Sequence, residues 1–78
     1  MPPLRAIRAA RLLSIRELAQ QAGVAPSTVY LIETDRVTPR QRVIRQLAAA
    51  LGVAPVEVDE FRRAIERAQQ PRAGPAGE

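Results

Sequence analysis

Apolar positions along the chain fall at helical spacing, and proline, glycine and capping residues cut them into five short segments. The pattern is clearest in the fourth. Val43, Ile44, Leu47, Ala48 and Leu51 follow the i, i+1, i+4, i+5, i+8 spacing of one buried face. Thr38 is the expected cap, Pro39 the first helical residue and Gly52 the stop. The first segment runs from about Pro3 to Leu12, with Leu4, Ile7 and Ala10 or Arg11 at three-residue steps. Ser14 followed by Glu17 predicts a capping box for the second, whose inner face is Leu18, Ala19 and Ala22 and whose stop is Gly23. The third starts at Pro26, carries Val29 and Ile32 inward and ends near Glu33, and Thr34-Asp35-Arg36-Val37 reads as a turn. The fifth is expected from Pro55 to about Gln69, with Val58, Phe61, Ile65 and Ala68 along one side. No stretch alternates with the period of a strand, so the expected fold is all-α, a compact five-helix bundle over residues 1–70. The Pro/Gly/Ala-rich tail 71–78 is expected to be disordered.

Composition removes most catalytic chemistry. All 12 basic residues are arginine, and Cys, His and Lys are absent. A zinc finger, a thiol nucleophile, an imidazole base, a Schiff base and a disulfide are therefore unavailable. The remaining Ser, Thr and carboxylates show no nucleophile–base pairing, so no enzyme, no metal and no cofactor is expected. At 78 residues the chain holds one domain with a core near the lower limit for independent stability. No stretch reaches the length of a membrane span. Arginines at 5, 8, 11 and 16 interrupt every apolar run near the start, so a secretory signal is not expected and the cytoplasm is the default location.

Charge is unevenly placed. Residues 1–45 hold eight Arg against Glu17, Glu33 and Asp35, which is 8 − 3 = +5; residues 46–78 hold four Arg against five acids, which is 4 − 5 = −1. An anionic partner for the first half is one reading; solvated arginine-rich helix faces are the other.

Two short helices separated by Gly23-Val24-Ala25 form a helix-turn-helix pattern. Small Ala19 lets the helices cross closely, and Gly23 accommodates the positive φ of a sharp turn. The stretch from Leu4 to about Phe61 resembles the lambda-repressor-like (Cro/cI, Xre-type) helix-turn-helix family. The residues that carry the resemblance are Arg8, Leu13-Ser14, Glu17-Leu18-Ala19, Gly23-Val24, Ser27-Thr28-Val29, Ile32-Glu33, Pro39, Leu47-Ala48 and Leu51-Gly52-Val53. The resemblance implies a bundle whose third helix enters the major groove of double-stranded DNA. It implies a structural ion pair between Arg8 and Glu33. It also implies phosphate and base-edge contacts from the starts of the second and third helices, here Ser14, Ile15 and Arg16, then Ala25, Pro26, Ser27, Thr28 and Leu31.

The chain departs from the family at four places. Ile15 stands where glutamine is usual, Ala25 where a Ser or Thr cap is usual, and Leu12 and Asp35 where glycine is usual. The outward face of the third helix offers Pro26, Ser27, Thr28, Tyr30 and Leu31, without the Arg, Asn or Gln that read base edges in pairs, so modest direct specificity is expected. For Tyr30 and Leu31 partial burial against a neighbouring helix is the alternative. Arg16, Arg36, Arg40 and Arg42 are the expected phosphate contacts, with Arg11 and Arg45 weaker. A small module of this kind is expected to bind as a homodimer, and Val58, Phe61 and Ile65 are the expected self-association surface; the alternative is that Phe61 closes the monomer core. The resulting expectation is a small DNA-binding transcriptional regulator, most simply a repressor. The competing expectation is an antitoxin-like or adaptor module that uses the same bundle to hold a protein partner.

Overall fold

The computed structural model describes residues 2–69; Met1 and residues 70–78, which include the tail expected to be disordered, lie outside that range. Five α-helices and one 3₁₀ turn follow in order: α1 (Leu4–Ala10), α2 (Ile15–Ala22), α3 (Pro26–Glu33), α4 (Gln41–Leu51), the turn Pro55–Glu57, and α5 (Asp59–Gln69). No strand occurs among the described residues, and none of their helices is long and apolar enough to cross a membrane. One core draws on every helix: Leu4 of α1, Leu18 of α2, Val29 and Ile32 of α3, Leu47 and Leu51 of α4, and Phe61 of α5 are all at most 1% exposed. Ala19 is fully buried where α2 meets α3, as its size requires.

The capping box at α2 is present. Glu17 N donates to Ser14 Oγ at 3.0 Å and Ser14 N donates to Glu17 Oε1 at 2.8 Å. Helices α1 to α4 all end in the same way. Leu12, Gly23, Asp35 and Gly52 adopt left-handed φ values of 58°, 75°, 58° and 69°. The residue after each donates its N–H to the carbonyl five positions back, at 3.2, 3.0, 2.9 and 3.1 Å respectively. Glycine takes this conformation without strain; Leu12 and Asp35 carry a Cβ there, at a cost of about 1–2 kcal/mol for leucine. Asp tolerates the region better than leucine does.

Three boundaries differ from the sequence reading. Helix α1 is shorter than Pro3–Leu12 because the left-handed Leu12 ends it. Helix α4 starts at Gln41 with Arg40 as its N-cap, and that cap has no side-chain hydrogen bond. Thr38, the expected cap, instead accepts a 2.9 Å bond from Arg67 Nη1 of α5. The fifth helix is interrupted: the 3₁₀ turn ends at Val58, which is extended (φ −104°, ψ 125°), and α5 begins afresh at Asp59.

That break turns Val58 inward. Val58 and Phe61 are both fully buried within the single chain, which corrects their placement on a self-association surface. With so few large side chains in the sequence, the only phenylalanine is needed to fill the space between α5 and the other helices. Ile65 is half-buried against the edge of the same core, and Ala68 is exposed.

Glu60 is the one buried charged residue among those described. Its Oε1 accepts the Leu4 backbone N–H at 2.7 Å, and Asp59 N donates to Pro2 O at 2.9 Å. Pro3 at the N-cap of α1 makes no side-chain cap bond, so the last helix caps the first from a distance of 56 positions in sequence.

Candidate nucleic-acid interface

Arg8 and Glu33 form the expected pair. Arg8 Nε and Nη2 donate to the two Glu33 carboxylate oxygens at 2.7 and 3.1 Å, and Nη1 donates to Leu13 O at 2.8 Å. The two side chains are only 15% and 5% exposed. This bidentate bond raises the Arg8 pKa above the ordinary arginine range against the opposing effect of burial. A raised arginine pKa keeps the Arg8 guanidinium charged below that range, and the stability linked to this group is lost as pH rises past its folded-state pKa. The pair ties α1 to the end of α3 and fixes how α3 is presented.

Helix α3 buries Val29 and Ile32 and leaves Ala25, Pro26, Ser27 and Tyr30 exposed, with Thr28 and Leu31 half-buried. Tyr30 is 49% exposed. Ala25 makes no side-chain cap bond and Pro26 has no N–H, so the Ser27 N–H at the start of α3 gains nothing from a cap. At the start of α2, Ser14 Oγ is occupied as an acceptor by the capping box but keeps its own hydroxyl proton to donate. Ile15 is half-buried and packs against the core, so it supplies no polar group where a glutamine is usual.

Arg16 is the second residue of α2, Arg36 lies in the α3–α4 loop, Arg40 is the N-cap of α4 and Arg42 its second residue. All four are exposed, and none forms an ion pair among the described residues. The start of α4 has no acid in its first turn and no side-chain cap. Arg40 and Arg42 therefore sit at the positive end of a helix dipole, an arrangement that an anion relieves. The sequence carried a signal for this grouping: from Arg36 to Val56 there are four arginines and no acid.

The loop bearing Arg36 is braced by α5. Arg63 Nη2 donates to Asp35 Oδ1 at 3.0 Å and Arg63 Nε to Asp59 Oδ2 at 3.2 Å, while Arg67 holds Thr38. The hydrogen bond to Asp35 is the largest influence raising the Arg63 pKa. These contacts span a cleft of about 330 Å³ between the loop and α5. Arg62 pairs with Asp59 and Glu66 on the outer side of α5. The α5 arginines thus serve the helix and the loop.

The geometry is that of a helix-turn-helix domain: α2 and α3 packed across a glycine turn, with the polar side of α3 left uncovered. A family model described as a helix-turn-helix domain matches residues 3–61. The chain belongs to that family, consistent with its lambda-repressor-like resemblance. No curated protein and no solved structure matches it significantly.

Proposed function

We propose that this protein is a regulator that binds double-stranded DNA, with α3 in the major groove and Arg16, Arg36, Arg40 and Arg42 on the phosphate backbone. The observation that carries this reading is the set of exposed, unpaired arginines at and around the uncapped start of α4, next along the chain to the open face of α3. Ser14, Ala25, Pro26, Ser27, Thr28, Tyr30 and Leu31 form the remainder of the contact surface. Hydroxyls and one phenol suit phosphates and single base-edge contacts, so most of the affinity is electrostatic and the sequence preference is modest. A twofold dimer acting as a small transcriptional repressor in the cytoplasm completes the reading, since one module of this size buries little DNA surface.

A titration of fluorescent duplex DNA at several salt concentrations tests it. The logarithm of the affinity is expected to fall linearly with the logarithm of salt, by about 0.9 per phosphate contacted. Absent or salt-insensitive binding overturns the reading. It would favour the adaptor alternative, whose support is the half-exposed Tyr30 and the lack of Arg, Asn or Gln on the outer side of α3.

The α5 brace makes a separate prediction. Arg63→Ala combined with Arg67→Ala releases Asp35 and Thr38, and is expected to weaken duplex binding about fivefold with the salt slope nearly unchanged, given the size of exposed ion pairs. A slope lower by about 2 would instead make both arginines direct phosphate contacts.

A further inference from the structure

Two anomalies of the surface lie side by side. Leu12 is 90% exposed, and it is held in the left-handed region where glycine would be relaxed. Beside it an open, mainly apolar groove of about 400 Å³ runs between α1 and the connection after α4, lined by Pro2, Ile7, Ala10, Arg11, Val53 and Glu57. Arg11 reaches the far wall: its Nη1 lies 3.7 Å from where a Cβ on Gly52 would stand. The left-handed turn ends α1, but a glycine would make it without strain, so a large apolar side chain left exposed there is unfavourable on both counts, and such outliers persist where the side chain is used.

We propose that a second copy of this chain docks on this face, each protomer inserting its Leu12 into the groove of the other. The occupant follows from the self-complementarity of the patch. A twofold contact requires knob and hole on the same surface, and Leu12 and the groove supply them within three residues of each other, Ala10 to Leu12. The charges match as well. Arg11 and Glu57 both line the groove, yet neither forms an ion pair among the described residues. Glu57 is held by its own turn, with Oε2 accepting Ala54 N at 3.2 Å, which leaves Oε1 for a partner. The twofold operation brings Arg11 of each protomer to Glu57 of the other. Val56, half-exposed beside Glu57, adds apolar area at the rim.

This places the dimer of the preceding reading and rests on it. Self-association is measured without DNA, so its failure is separable from a failure of DNA binding. Sedimentation equilibrium and thermal melts of the full chain should be run on wild type, Leu12→Gly, Leu12→Asp, Arg11→Glu and Arg11→Glu/Glu57→Arg. Leu12→Gly relieves the backbone and removes the knob. It is therefore expected to raise the melting temperature of the dilute protein while weakening self-association about a hundredfold, from two leucines lost per dimer. A residue with a merely structural role would move both quantities in the same direction. Leu12→Asp should abolish the dimer, Arg11→Glu should weaken it, and the charge-swapped double variant should recover association. Three results overturn the proposal: a wild type monomeric at millimolar concentration, which would leave the groove to a different protein; a Leu12→Gly variant that associates like wild type; or a double variant no better than Arg11→Glu while still folded.

Discussion

Phe61→Ala is expected to destabilise the folded chain by about 4 kcal/mol, the usual range for emptying a fully buried phenylalanine site. Phe61 is 0% exposed and is the largest of the fully buried side chains. Its neighbours are poorly able to fill the void, because 14 of the 36 apolar residues are alanine and the only other aromatic, Tyr30, lies half-exposed on α3. A domain of this size has a total stability of roughly 4–10 kcal/mol, so the variant should be largely unfolded or melt far below wild type. Denaturant unfolding followed by circular dichroism measures the loss. Ile65→Glu, at the edge of the core, should be much milder. A Phe61→Ala chain that melts like wild type but has lost self-association would return Phe61 to the surface and refute the core described above.

Arg36→Glu combined with Arg40→Glu is expected to lower affinity for duplex DNA by on the order of a hundredfold or more, and to reduce the salt slope by about 2. Neither arginine forms an ion pair among the described residues, so no fold-stabilising partner is stranded. The backbone bond from Arg36 N to Leu31 O is independent of the side chain. At the N-cap of α4 a glutamate suits the helix dipole better than arginine does. Stability should therefore hold or rise slightly while binding collapses. That pairing of signs separates a lost contact from a damaged protein. Unchanged affinity and slope would remove this loop from the interface.

The helices and the capping box could be read in the sequence because each depends on local spacing; the Arg8–Glu33 pair, 25 positions apart, was expected only from the family resemblance. Even the departures were informative: Leu12 and Asp35 stand at helix ends that demand a left-handed residue, and the backbone takes that conformation without glycine. What could not be read depends on contacts distant in sequence. Thr38 has the chemistry of a cap, but Arg67, 29 positions later, takes its hydroxyl. Val58 and Phe61 share an apolar side with Ile65 under helical periodicity, and only the extended residue before Asp59 shows how α5 turns that side into the core. Of the proposed contact residues, the exposed arginines and the open face of α3 follow from sequence position, whereas the bracing of the loop by α5 needs the tertiary fold.

The bond between Glu60 and the Leu4 amide makes the start of the first helix depend on the last. The first helix begins at a proline that cannot cap it, and obtains its cap from a residue 56 positions later in the chain. Helix α2 carries its own capping box and glycine stop, but α3 is anchored through Glu33 and Arg8 to α1, whose first amide is held by α5. Loosening α5 is therefore expected to unseat the start of α1 and, through the Arg8–Glu33 pair, to disturb the end of α3 as well.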